Sequence, residues 1–234
     1  MPARQVAFQK NFPIIYTMMK TSGIVLRKEK LSDRLLHLSI YTEKMGKINA
    51  LTKVELKNFP LSTESFSISQ FTLKITGEKI EIIDAKLLKH NFPENLPRYK
   101  YLNAIAKYVI NFTGSVPDKR IFNLISFYMN IKKNFLLALT MFLIKLTYFE
   151  GLFPVLDKCV ICNSKNIRGF SIENGGVVCE ECIKNTSIPW NRKLTKEAQL
   201  LLKTSFYSVS SCKIGNIKRI KNTFEKHLSY RNGM

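Results

Sequence analysis

GIVLRKEKLSDRLLHLSIYTEKMGKINALTK, residues 23–53, decides how the chain begins to fold. Residues 22–27, 35–41 and 47–52 are short runs rich in Leu, Ile and Val, which suit a pleated, half-buried surface. Glu43-Lys44-Met45-Gly46 supplies a turn between the second and third runs. Further on, Phe66 and Ile68 share one face of a strand, and Phe71, Leu73 and Ile75 share the other. That change of phase predicts a β-bulge at Gln70, a device that bends a strand around a small barrel. Gly77-Glu78 turns the chain into a fifth run at 79–83. Five short strands between residues 20 and 90 fit a closed barrel such as an OB-fold.

From Pro93 the apolar period becomes helical. Tyr99, Leu102, Ile105, Ala106 and Val109 share one helix face, and Asp118 caps a second helix carrying Ile121, Phe122, Ile125 and Tyr128. Asn134 is placed to cap a third, 135–150, which ends at Gly151 and is apolar on nearly every side, as the centre of a bundle would be. Two more helices are expected at 194–204 and 217–230. The fold class is therefore α+β. An N-terminal OB-fold barrel at 18–90 is followed by a helical domain, 91–154, which 191–234 completes. A zinc-ribbon-like segment, 155–190, is embedded between the two helical parts. Residues 1–17 lack periodicity and are expected to be a disordered extension, with Met18-Met19 as a second plausible start.

The chemistry lies in that embedded segment. Cys159-Val-Ile-Cys162 and Cys179-Glu-Glu-Cys182 form a C-x2-C-x16-C-x2-C pattern. Each pair can place two sulfurs on one ion through a tight turn, and two pairs close the tetrahedral thiolate shell that Zn2+ prefers, at about 2.3 Å per bond. With four protein ligands no position stays open for substrate, so the expected zinc is single and structural. An Fe–S cluster or plain buried thiols are the alternatives. Cys212 stands alone and reads as an ordinary thiol.

The formal net charge is +20 over 234 residues, with 37 Lys and Arg against 17 acids. Such an excess repels itself, and a polyanion would relieve it; nucleic acid is the first candidate. Eleven of the cations and only two acids, Glu197 and Glu225, fall in residues 183–234. Candidate DNA contacts are Arg27, Lys28, Arg34, Lys44, Lys47 and Lys53 in the barrel, and Lys218, Arg219 and Lys221 in the tail. Barrels of this type pair a cationic groove with aromatic platforms. Tyr41 and Phe59 are candidates for stacking and both equally for the core, with the core the favoured place for Tyr41. Phosphate-loop, dinucleotide, zinc-protease and serine-hydrolase motifs are missing, and the three histidines, His37, His90 and His227, are scattered, so no enzyme is expected. No run approaches the roughly 20 apolar residues of a membrane span, and the chain reads as a cytoplasmic protein without membrane attachment.

The order of parts resembles one family. A barrel opening G-x-V-L with Ser32-Asp33-Arg34 and a Thr42-x-x-x-Gly46-Lys47 turn is followed by helices. These end in LTYFEGLFPVLDKCVICN at 146–163, and GFSIENGGVVCEEC follows at 169–182. From about residue 19 to 230 the chain is similar to the bacterial RecO family of DNA-repair recombination mediators. The resemblance implies a nucleoid-associated protein that binds single- and double-stranded DNA and anneals complementary strands. Its implied partners are RecR, the acidic C-terminal tail of single-stranded-DNA-binding protein and, indirectly, RecA. A tail-docking site in the helical domain would draw its cations from Arg98, Lys100 and Lys107. The chain departs from the family at 53–60, KVELKNFP, where an Arg-rich stretch is common, and at Asn163, where Gly is usual. Without the family, the residues support a basic, zinc-containing, OB-like binding protein, and an RNA-binding or transcription-associated zinc-ribbon protein is the rival.

Overall fold

The computed structural model describes residues 16–33, 35–53, 60–210 and 214–233. The expectations for residues 1–15, Arg34, Phe59 and Cys212 lie outside the described residues. The architecture is α+β. Five antiparallel or mixed strands come first, helices follow, and a small three-stranded sheet is inserted between the third and fourth helices.

Strand β1 (Thr17–Ser32) is long enough to serve two neighbours. Its first half pairs with β4 (Ser67–Thr76), from Thr17 opposite Ile75 to Ile24 opposite Ile68, and its second half pairs with β2 (Leu35–Thr42). With β3 (Gly46–Lys53) and β5 (Lys79–His90) the sheet closes as a barrel in the order β1-β2-β3-β5-β4. The β3–β5 seam is thin, a parallel pairing of Leu51 with Glu81. Val25, Leu38, Ile40, Ile48, Ala50, Phe71, Leu73 and Ile82 fill the interior.

The bulge expected at Gln70 is not there. Gln70 sits in unbroken register opposite Ser22, and Ser67, Ser69, Phe71 and Leu73 all keep one buried phase. The apparent flip has another cause. Ile68 lies on the other face, where it joins Ile24, Leu26, Tyr41 and Phe66 in the core of the helical layer. Register slips occur instead on either side of Gln70 along the β4–β5 pairing, with the extra residue in β5, and between Val25 and Arg27 in β1. The β1 slip turns Arg27 outward, its side chain 60% exposed, two residues after the interior Val25.

In the helical layer, α1 (Leu96–Phe112) is capped by Asn95, which accepts from the Arg98 amide at 2.9 Å, and α2 (Lys119–Met129) is capped by Asp118. Helix α3 (Phe135–Phe149) is the buried centre: α1, α2, α4 (Arg192–Lys203) and α6 (Ile217–Arg231) all pack on it. Asn134 does precede α3, but it turns the chain through left-handed backbone, φ 56°, and its side chain makes no cap bond. A short α5 (Phe206–Val209) lies between α4 and α6. No described helix is long and apolar enough to cross a membrane.

Barrel and helices are joined by polar ties as well as by the shared core. Lys47 donates from Nζ to the Ile110 carbonyl at 2.6 Å and to the Thr113 carbonyl at 2.7 Å, closing the C-terminal end of α1. Cations suit that end of a helix dipole.

Candidate metal centre and basic surfaces

The inserted sheet is built from β6 (Ile167–Ser171), β7 (Gly176–Cys179) and β8 (Ile188–Pro189), ordered β7-β6-β8. Its hairpin turns at Gly175, φ 73°. A side chain there is also barred by space, because the Arg231 Nη2 atom would lie 1.9 Å from an added Cβ. At Gly176 an added Cβ would meet the Val155 carbonyl oxygen at 2.4 Å. The glycine pair thus lets the hairpin press against both α6 and the strand-like segment at Val155.

That hairpin carries Cys179 toward the first cysteine pair. The Sγ atoms of Cys159, Cys162, Cys179 and Cys182 all lie within 4.8 Å of one another, and Cys162 and Cys179 are 3.5 Å apart. Four sulfurs at about 2.3 Å from one ion would stand under about 4 Å apart, so the cluster is close to the spacing that one shared ion requires. The first turn is held by the Asn163 amide donating to Cys159 O and the Cys159 amide donating to Ser164 O. Asn163 adopts φ 62°, so it takes the left-handed position that Gly usually fills. Burial pushes the Cys159 thiol up, but backbone N–H groups of Cys162, Ile161 and Cys179 outweigh it and bring it down to about 6. The cluster could hold a metal ion, and no other group of metal-ligating side chains occurs among the described residues.

The predicted DNA-contact residues separate into engaged and free groups. Arg27 is exposed and paired with Glu29. Lys28 pairs with Glu64 and its side chain is 15% exposed. Lys44 is exposed, in the β2–β3 turn. Lys47 is occupied by the two α1 carbonyls, and burial lowers its pKa. Lys53 closes β3, and Arg34 lies outside the described residues. In the tail, Lys218 and Arg219 are exposed on α6, while Lys221 pairs with Glu225 at 2.7 Å. Glu225 also accepts from the Tyr108 hydroxyl at 2.8 Å.

Tyr41 is fully buried, which leaves it in the core rather than on a stacking surface. Arg98 is no free cation either. It is 2% exposed and donates to Phe92 O at 2.9 Å, and to Met129 O and Ile131 O at and just beyond the end of α2. Lys100 and Lys107 are exposed. Lys100 edges a hollow of about 200 Å³ lined by Pro97, Tyr101, Phe135, Leu136 and Leu139. Sequence reasoning missed the carbonyl-capping roles of Lys47 and Arg98. A weak signal existed for Arg98, since a cation in the first turn of a helix opposes the dipole and needs another reason to be there.

A strand barrel sealed to a helical bundle, with a four-cysteine hairpin inserted in the bundle, defines a class of metal-binding-competent, strongly basic α+β proteins. Comparison narrows the class. The family model described as "Recombination protein O C terminal" matches residues 94–232. The "DNA repair protein RecO" of Alkaliphilus metalliredigens is 30% identical over 216 residues, spanning 84% of this chain and 86% of that protein. Those of Caldicellulosiruptor saccharolyticus and Caldanaerobacter subterraneus are each 27% identical, spanning 88% and 80% of this chain and 89% and 81% of theirs. The chain belongs to the RecO family of DNA repair proteins.

Proposed function

We propose that this protein is a non-catalytic recombination mediator. It binds single- and double-stranded DNA without sequence preference, anneals complementary strands, and works with RecR and single-stranded-DNA-binding protein to load RecA in the bacterial cytoplasm, at the nucleoid. The observation that carries the reading is the family match over 94–232 on a chain whose charge is +20. The closed order β1-β2-β3-β5-β4 supports an OB-fold for residues 18–90. The four-thiol cluster supports one structural Zn2+ held by Cys159, Cys162, Cys179 and Cys182.

On this reading Arg27, Lys28, Lys44 and Lys53 contribute from the barrel and Lys218 and Arg219 from the tail, by phosphate neutralisation rather than base readout. Lys47 is left out because its ammonium already satisfies helix carbonyls. The hollow beside Lys100 offers apolar walls for the aromatic end of the acidic tail and a cation for its carboxylates. A labelled tail peptide should bind the wild type and lose affinity for Leu139→Arg; equal binding to both would remove this docking site.

The deciding experiment is annealing of complementary strands coated with single-stranded-DNA-binding protein. Adding this protein should speed duplex formation. Rates that do not change, or competition by matched RNA that exceeds competition by DNA, would instead favour an RNA-binding role.

A further inference from the structure

Between β8 and the first turns of α6 runs an open groove of about 590 Å³. Its cations are Lys218, Arg219 and Lys226, with Asn222 between them and Ile188 on the β8 side. Positions 218, 222 and 226 recur every four residues, so they form one stripe along α6, with Arg219 beside it. All three cations are exposed, and none has an ion-pair partner among the described residues. Lys221, off this stripe, is already paired with Glu225.

At the start of α6, Asn216 occupies the N-cap and its side chain donates to Glu197 Oε2 at 3.2 Å rather than capping the helix. That carboxylate offsets the partial charge of the helix amides, so the cationic stripe itself supplies the positive field of the groove. From Lys218 to Lys226 the helix rises about 12 Å. One duplex strand carries a phosphate every 3.4 Å or so, roughly, so the stripe matches several successive phosphates rather than one. Among the described residues, none from the barrel lines the groove; β1 packs against α1, and α6 packs against α3.

We propose that this groove is a phosphodiester-binding site in its own right, so that one chain holds two nucleic-acid backbones at once. The inference rests on the DNA-binding reading above and deepens it. Two independent sites bring two strands within one molecule, which raises their effective concentration for pairing.

The test is titration with a labelled oligothymidylate of about eight nucleotides, within the site size of a small barrel. At low salt the wild type should take up two per chain. The triple variant Lys218→Gln, Arg219→Gln, Lys226→Gln should take up one, with its unfolding midpoint unchanged because all three side chains are exposed. The charge-conserving triple variant Lys218→Arg, Arg219→Lys, Lys226→Arg should still take up two. The same oligonucleotide with uncharged methylphosphonate linkages should not enter the groove. A glutamine triple variant that binds as many strands as the wild type, at the same salt dependence, overturns the proposal and leaves the DNA-binding reading standing. A wild type that binds no oligonucleotide overturns the DNA-binding reading itself.

Discussion

The barrel and the cysteine hairpin are held together by different means. The barrel encloses eight buried apolar side chains, among them Phe71 and Leu73 at no measurable exposure. The hairpin's own cluster consists of Cys159, Val178 and Cys179, with Val160 and Cys182 partly buried beside it. Hydrophobic burial is enough to close the first. The second has too little apolar area to offset the entropy of ordering its turns, so it leans on its neighbours and, on the proposed reading, on an ion held by its four thiols. Those neighbours are specific: Phe170 of β6 packs edge-on to His227 of α6 at 5.8 Å and against Trp190 at 5.5 Å.

The sharpest way to break the contrast is to remove the metal. Structural zinc contributes on the order of 10 kcal/mol in small zinc modules. Chelation, or Cys159→Ser, should therefore raise amide exchange across residues 155–190 and loosen the Phe170–His227 contact, while β1–β5 keep their protection. Elemental analysis should find about one zinc per chain beforehand. Uniform exchange across hairpin and barrel alike would show that they are not separately stabilised.

The converse change is Phe71→Ala, which empties the barrel interior and should cost about 3–5 kcal/mol in urea unfolding, with the zinc content of the folded fraction unaltered. Loss of metal from that fraction would mean that the barrel supports the hairpin.

The seam between barrel and bundle should respond less. Lys47→Met removes the cation that satisfies Ile110 O and Thr113 O. It should cost about 1–3 kcal/mol, the penalty for polar groups left unpaired, and change DNA affinity little. A large affinity loss without a stability loss would return Lys47 to the DNA-binding set.

Much of this was legible in residues 23–53 and 146–182, and the reasons are physical. Cysteine spacing is read directly because ligand geometry demands it. Asp118 caps where it was expected because its short side chain reaches a first-turn amide. The barrel strands were harder. β5 runs to His90, well past 83, because Ile83, Leu87 and Leu88 are exposed apolar residues that break the alternation on which a strand is recognised. Ile68 misled for the opposite reason, since a second layer buries a face that a lone barrel would leave wet. Lys47 could not be told from a solvated cation, because the carbonyl it satisfies at Ile110 lies 63 residues away, and Arg98 carried only the weak signal of a cation in a first turn.

The smallest expected effect concerns pH and separates the hairpin's support from the barrel again. His227 is 1% exposed, its Nε2 bonds Leu152 O at 2.8 Å, and its Nδ1 is buried without a partner. A carbonyl can only accept, so Nε2 carries the proton and the ring is neutral with Nδ1 bare. Burial lowers its pKa, and the Leu152 carbonyl opposes that shift while Arg231 reinforces it. The folded value therefore lies below the ordinary histidine value of about 6.5. The unfolded chain then binds the extra proton more readily, so stability is fully present above about 6.5 and declines as pH falls through the lower folded value. Between about pH 7.5 and 5.5 the wild type should lose a modest part of its unfolding free energy, and His227→Gln should flatten that dependence. Exchange should rise first around Leu152, Phe170 and α6 rather than in the barrel. A pH dependence that survives the substitution intact would assign the titration to another group and leave His227 as packing alone.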